Sequence, residues 1–419
     1  MTIGFDARFY GPIGKGLGRY TQEVADNLMK IASADPLASG GAGFNYVIFL
    51  SPENYDEFDC EAALLDAPGL KVRKVRLDIP WYSWKEQWLM PFHIWRARVD
   101  LMHFPHFNVP LLTPVKFVVT IHDLILTHFP TLRATTRSPW LYRLKNLAYQ
   151  AVIYLAVKRA RKIIAVSEFT KSDLVKKFKI RPEKIIVTYE GVANLAKGRD
   201  SLFYAKLNRR EVLAEYNIGP NFLLYVGNAY PHKNLEILIR AFNRLRADHP
   251  DLRLVLVGRL DYFYDRVREY ARRLNLWQKE NLNSPVIFPH YVPDAELEIL
   301  YQTARAYIFP SLYEGFGLPP LEAMAKSCPV LSSDRASLPE VLGGAALYFN
   351  PEDEEDMLGN IKRVLSDDNL RADLIRRGLE QVKKYNWWEC ARQTLEVYKE
   401  ALAGATRAGA PERNNHHGQ

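Results

Sequence analysis

Glu314-Gly-Phe-Gly-Leu-Pro-Pro-Leu-Glu322 follows the apolar run Ala306–Phe309. The order is strand, glycine-bearing turn, helix start. Gly315 and Gly317 permit a sharp turn and let backbone N–H groups come close to a ligand. Pro319 and Pro320 suit a first helical turn, where a missing N–H costs nothing. A helix N-terminus with unpaired amides and a positive dipole end is an anion site. Glu314 precedes the turn, and Glu322 is read in the first turn after it. Phosphate on the amides and hydroxyls on the two carboxylates fit a sugar nucleotide. Taken alone, Glu322 is no more than a favourable first-turn acid; the whole arrangement points to a site.

The same strand-then-helix order extends over the chain. In the first half the strand candidates are Ile3–Phe9, Tyr46–Leu50, Val72–Leu77, Leu101–Phe104, Phe117–Ile121, Ile163–Val166 and Ile185–Thr188. In the second they are Phe222–Val226, Leu252–Val257, Val286–Phe288, Ala306–Phe309, Val330–Ser332 and Ala346–Phe349. Most are continuous β-branched or aromatic runs, as buried parallel strands require. Helical spacing lies between them, as in Tyr20, Val24, Leu28 and Ile31. A length of 419 residues suits two domains. The expected class is α/β, with two Rossmann-like doubly wound parallel-sheet domains. Residues 1–193 form the first, 194–220 a linker and 221–386 the second. A crossover helix at 387–404 and a disordered tail at 405–419 complete the expectation.

Ligands of such sheets sit beyond the carboxyl ends of the strands, so the residues just after each strand matter most. Tyr225-Val-Gly-Asn-Ala-Tyr-Pro-His-Lys233 places Asn228 in a turn and Lys233 where a helix starts. Lys233 there can meet a phosphate as a point charge, or simply be a surface lysine. Arg259, after the strand ending at Val257, is a second candidate charge. Gly11-Pro-Ile-Gly-Lys-Gly16-Leu-Gly18 has four glycines without the GxGxxG spacing. A loop reaching toward a diphosphate fits it better than a dinucleotide fingerprint. His122 ends a strand and is placed to face a cleft; a lone histidine is otherwise packed or solvated. His103 and His106 are read either as lining an acceptor side or as loop histidines. In His290-Tyr-Val292-Pro-Asp294, Asp294 also reads as an N-cap.

The segment Tyr313–Ala325, YEGFGLPPLEAMA, resembles the signature of the retaining glycosyltransferases of family 4. The resemblance runs from Ile3 to about Ala403. It implies the GT-B fold, with the donor in a cleft between two domains. It implies that Glu314 contacts the transferred sugar, Glu322 the ribose, and His122 the sugar as well. Gly315 and the amides of Phe316, Gly317 and Leu318 would hold sugar and diphosphate. Lys233 would pair with the diphosphate, with Asn228 standing where many members carry arginine. Gly16 and Gly18 would lie at the tip of the glycine-rich loop, and Val292 would touch the base. The implied chemistry is same-face transfer, the departing phosphate accepting the acceptor's proton. FDARFYGPIGKGLGRY and HFPHFNVP resemble mannosyltransferases of surface-polysaccharide assembly, which favours GDP-mannose and leaves a UDP-sugar open.

Composition bounds the alternatives. Apolar residues at 48% and charged residues at 25% exclude wholesale disorder. No apolar run reaches the roughly 18 residues of a membrane span, and no signal peptide is visible. Cys60, Cys328 and Cys390 have no CxxC spacing, so neither a zinc site nor a disulfide framework is expected and the compartment is read as cytoplasmic. No Asp-x-Asp pair suggests a metal, and no cofactor is expected beyond the nucleotide sugar. The net charge of +8 is uneven. Between Arg133 and Lys184 stand 14 basic and 3 acidic residues. Trp140, Leu141, Leu144 and Leu147 there read either as a core helix or as an amphipathic helix on an anionic membrane. The run Trp81, Tyr82, Trp84, Trp88, Met90, Phe92 reads as core or as a greasy acceptor groove. The reading is thus a metal-independent, retaining hexosyltransferase acting on a glycan or lipid-linked acceptor. A sugar phosphorylase or nucleotide-sugar epimerase is the alternative on this fold. A basic nucleic-acid-binding protein is the distant one, and it lacks any matching motif.

Overall fold

The apolar runs form thirteen strands among the described residues, all paired in parallel within two sheets. The computed structural model describes residues 1–11, 15–34, 44–60, 70–129, 139–192 and 207–403. The strands are β1 Thr2–Asp6, β2 Asn45–Leu50, β3 Val72–Arg76, β4 Leu101–Phe104, β5 Lys116–Ile121, β6 Lys162–Ala165 and β7 Ile185–Val187 in the first sheet. The second holds β8 Phe222–Val226, β9 Arg253–Val257, β10 Val286–Ile287, β11 Ala306–Phe309, β12 Val330–Ser333 and β13 Ala346–Phe349. Their interiors are almost wholly buried, as strands covered on both faces must be. β1 stops at Asp6 rather than Phe9 because the chain turns there: the Tyr10 amide bonds Ala7 O and Arg8 folds back on Asp6.

The first unit comprises the described residues of Met1–Leu124, Leu132–Gly191 and Trp387–Gln419. Its sheet order is β3-β2-β1-β4-β5-β6-β7, so the winding reverses between β1 and β4. One face of the sheet is covered by the helices Trp84–Ala97 and Pro139–Arg159, which share a buried cluster with Phe104, Phe117, Val119 and Ile163. The helices Lys15–Ala34 and Trp387–Ala403 also belong to this unit. Trp387–Ala403 buries Cys390, Ala391, Leu395 and Tyr398, and its Tyr398 hydroxyl lies 2.6 Å from His103 Nδ1.

The second unit comprises the described residues of Ile125–Thr131 and Val192–Asn386, with sheet order β10-β9-β8-β11-β12-β13. Here the winding reverses between β8 and β11. The helix Leu235–Leu245 shows why it packs: Leu235, Leu238, Ile239, Phe242 and Leu245 recur at helical spacing and are all buried. The stretch read as a linker, 194–220, contains a helix at Arg209–Glu215, capped by the Asn208 side chain. Polarity hid it, although Val212 and Leu213 are buried. The disordered tail expected at 405–419 and residues 194–206 of the linker lie outside the described residues.

Candidate functional site

At the reversal in the second unit, the loops after β8 and β11 lie side by side and are bonded together. The Leu312 amide donates to His232 O at 2.7 Å, and Ser311 Oγ donates to the same carbonyl at 3.3 Å. Ser333 Oγ in turn donates to Ser311 O. The first loop is closed by Tyr225, whose hydroxyl donates to Asn228 O at 2.7 Å. Asn228 Oδ1 accepts from the Tyr230 amide at 3.3 Å, which leaves its Nδ2 as the donor end. A short turn, Pro231–Lys233, then aims Lys233 at the second loop. Lys233 Nζ meets Glu314 Oε1 at 2.5 Å and stands 5.4 Å over the Phe309 ring.

Lys233, Glu314 and Glu322 are all buried. A buried charge without a partner is costly, and the Lys233–Glu314 contact gives each of these buried groups its partner. Burial, and then the Lys233 charge, push His232 down to about 4, so it is neutral at physiological pH. The Glu314 loop is shaped by Ser337, whose Oγ donates to Glu314 O and Phe316 O, both at 3.0 Å. Gly317 holds φ at 106°, and a Cβ there would stand 2.8 Å from Leu338 Cδ2. The positive φ disfavours any side chain there, and a Cβ would also have to displace the tip of Leu338. Gly317 caps the helix Leu318–Ala325, with Pro319 and Pro320 in its first turn. Glu322 is the fifth helical residue and so lies in the second turn, not the first as the spacing suggested. The side chains of His128 and Phe129 pack on Tyr313, with ring centroids 5.1 Å and 6.1 Å away.

Arg259 follows β9 and is exposed, whereas Val292 is buried. Their loops are joined by the Gly258 amide, which donates to His290 O at 3.1 Å. Asp294 is the first helical residue, and the N-cap position belongs to Pro293. Proline cannot cap through its side chain, so the expected Asp294 cap is a misplacement by one residue.

The first unit treats its candidates differently. His122 follows β5, with Nδ1 at 2.9 Å from Glu190 Oε1 and Nε2 at 3.0 Å from Pro105 O. Burial opposes a charge on this ring, but the Glu190 carboxylate and the Pro105 carbonyl outweigh it and raise the pKa. Both partners are acceptors, so the doubly protonated ring satisfies both, and no ring nitrogen is left over for a sugar in this arrangement. His103 is fully buried between Tyr398 and Thr120 Oγ1, not on an acceptor face. Gly16 and Gly18 lie in the first turn of the helix Lys15–Ala34 rather than at a loop tip. No atom stands within 4 Å of a Cβ built on Gly16; one on Gly18 would be 2.1 Å from Gly11 O. Gly18 thus lets the Phe9 and Gly11 carbonyls approach the helix, and Gly16 leaves open space.

Sequence reasoning missed Glu190, Ser311, Ser337 and Tyr313, which hold or flank the candidates. It also missed a buried ion network in the first unit. Arg8 bonds Asp6 Oδ2 at 2.7 Å and Glu86 Oε1 at 2.6 Å, and Asn108 Nδ2 donates to Glu86 Oε2 at 2.7 Å. Asp6 and Arg8 lie in FDARFY and Asn108 in HFPHFNVP, but neither motif marks them as partners. Among the described residues, no helix is long and apolar enough to cross a membrane.

Two family descriptions match the chain: Glycosyltransferase Family 4 over residues 38–193, and Glycosyl transferases group 1 over residues 208–381. The chain is 29% identical to an O-antigen chain mannosyltransferase B of Escherichia coli, over 92% of this chain and 96% of that one. It is 28% identical to the O-antigen chain mannosyltransferase RfbU of Salmonella typhimurium, over 90% and 94%. Among solved structures, sucrose-phosphate synthase from Thermosynechococcus elongatus superposes with a TM-score of 0.70 at 21% identity, over 96% of this chain and all of that one. That likeness shows the fold: two parallel-sheet α/β units of the GT-B class.

Proposed function

We propose, because this chain belongs to the glycosyl transferases group 1 family, that it moves a mannosyl group from GDP-mannose to a glycan or lipid-linked acceptor with retention of configuration. The observation that carries this reading is the buried Lys233–Glu314 pair at the reversal of the second sheet. A sugar diphosphate arriving there competes with Glu314 for the Lys233 charge. The carboxylate is then released toward the hydroxyls of the sugar, while Lys233 and the amides at Phe316, Gly317 and Leu318 neutralise the leaving diphosphate. Glu322 takes the ribose, and Asn228 Nδ2 and Arg259 add donors on the phosphate side. The departing phosphate accepts the acceptor's proton, so no further carboxylate is needed as base. In this reading Lys233 and the helix N-terminus do the neutralisation, and no metal ion takes part.

Mannose is favoured because both near-full-length relatives described above are O-antigen mannosyltransferases. The acceptor side is assigned to the first unit, whose basic stretch Arg133–Lys184 suits a lipid diphosphate or the anionic membrane that carries it. The enzyme would then act at the cytoplasmic membrane face. Thermal-shift measurements with GDP-mannose, UDP-glucose and ADP-glucose test the donor. Selective stabilisation by GDP-mannose is expected; indifference to every nucleotide sugar sinks the reading. NMR of the product anomer tests retention, and full turnover in EDTA tests metal independence.

A further inference from the structure

Two helices of the first unit present large apolar side chains to solvent. In Trp84–Ala97 these are Trp84, Trp88, Phe92 and Trp95, with Trp84 86% exposed and Trp88 and Trp95 each 67%. At 3.6 residues per turn the four fall within an arc of roughly 80°. The buried residues Glu86, Met90 and Ile94 lie on the opposite side. The second helix, Pro139–Arg159, exposes Leu144, Leu147, Tyr154 and Leu155 along one side and buries Ile153, Ala156 and Val157 on the other. The run from Trp81 to Phe92 is therefore divided: Met90 is core, Trp81 stacks on Phe9, and Trp84, Trp88 and Phe92 stand on an outer face.

The two faces belong together. Met90 and Ile94 share one buried cluster with Ile153, Ala156 and Val157, so both helices cover the same side of the sheet. Their outer sides point away from it in the same direction. A short segment joins them: the Leu111 amide donates to Gln87 Oε1 at 2.8 Å, and Leu111 O and Thr113 O accept from Arg159. Exposed Leu112 lies between. Lys85, Arg96, Arg98, Arg143, Lys158 and Arg159 are exposed around this surface. The one acidic residue in either helix is Glu86, which is buried against Arg8.

We propose that this surface lies flat on an anionic lipid bilayer. Tryptophan is enriched where apolar chains meet headgroups, and lysine and arginine at the margins attract anionic lipid. Isolated exposed apolar residues are ordinary, but large apolar side chains grouped on the outer sides of two helices that carry exposed basic and no exposed acidic residues mark a contact. A second copy of the chain is disfavoured as the occupant, because two such faces would bring like charges together. Docking of this kind rests on the proposed lipid-linked acceptor for its purpose and on the two helix faces for its physics. It turns the membrane contact from the charge of Arg133–Lys184 alone to a defined apolar face, half of it on a helix outside that segment.

Flotation with vesicles of phosphatidylglycerol and phosphatidylcholine, beside vesicles of phosphatidylcholine alone, tests it. The chain is expected to float with the anionic vesicles. The triple change Trp88→Ser, Phe92→Ser, Trp95→Ser should weaken binding at least tenfold, as should Leu144→Ser with Leu147→Ser. Circular dichroism and the Tm identify variants that keep the fold. Wild-type chain left unbound by anionic vesicles overturns the proposal, as do folded variants that float undiminished. A concentration-dependent dimer abolished by the same changes, without vesicle binding, also overturns it in favour of a second copy. Stabilisation by GDP-mannose in the same samples reports the transfer reading separately, so either can fail alone.

Discussion

Both units place polar side chains at the carboxyl ends of parallel strands, yet they hold charge in opposite ways. In the second unit the Lys233 and Glu314 side chains are ion-paired to each other alone among the described residues, and a phosphate can displace the carboxylate. In the first unit His122 is gripped from both sides by Glu190 and Pro105, and His103 by Tyr398 and Thr120. The first arrangement is exchangeable and suits a ligand that comes and goes. The second is saturated and suits a fixed scaffold in which Glu190 and Pro105 favour the protonated form of His122. The fold is shared, and the reactive character follows from how many partners each charge already has.

The largest expected effect breaks the exchangeable pair. Glu314→Ala should cut transfer by roughly 10²–10³ or more, the loss typical of a group aimed at charge that develops in the transition state. A steady-state assay showing near-normal turnover would remove Glu314 from the chemistry. Lys233→Ala comes next, with about 10² lost and donor binding weakened. It also strands a buried carboxylate, so a fall in Tm of a few degrees is expected beside the kinetic loss. If only the Tm moves, the pair is scaffold in both units and the contrast disappears.

Glu190→Gln probes the saturated side. Glu190 helps raise the His122 pKa, so the variant should deprotonate at lower pH, readable from the His122 Hε1 shift by NMR. In the wild type the stabilisation from this pair is complete below the ordinary histidine value of about 6.5 and is lost as pH rises through the raised folded value. His103 and His106 have the opposite sign. Burial, and then the charge of His122, push both down to about 3. Stability should therefore fall as pH drops from about 6.5 toward that value, because the unfolded chain binds protons that the fold refuses. Urea titrations at stepped pH follow both trends. Tyr398→Phe is the smallest change. It leaves His103 Nδ1 without its partner and should cost about 1–3 kcal/mol, with turnover little altered.

Much of this architecture could be read along the chain, because buried parallel strands are short apolar runs such as Phe222–Val226 and Ala306–Phe309. The strand ends were less legible. Polar residues such as Asn45, Lys116 and Lys162 join the ladder through backbone bonds that no side-chain pattern reveals. Gly16 and Gly18 read as loop residues by propensity, while the apolar spacing of the next turns carries the helix through them. Lys233 and Glu314 were each visible from their turn chemistry, but their pairing is a product of strand order. Glu190 stands 68 residues from His122 and Tyr398 stands 295 from His103, and nothing local marks either partner. The exposed face of Trp84–Ala97 was hidden for the converse reason: tryptophan reads as core until burial is known.

Because the helix Trp387–Ala403 completes the first unit, the order of folding runs against the order of synthesis. Domains ordinarily mature from the N-terminus as the chain emerges. Here the residues of Val192–Asn386 are all available before Tyr398 and Leu395 exist to cover His103 and its surroundings. The unit made first must wait, with Leu395 and Tyr398 missing from its core, for this helix to leave the ribosome. A chain cut short before Trp387 would therefore lose integrity at its beginning rather than at its end.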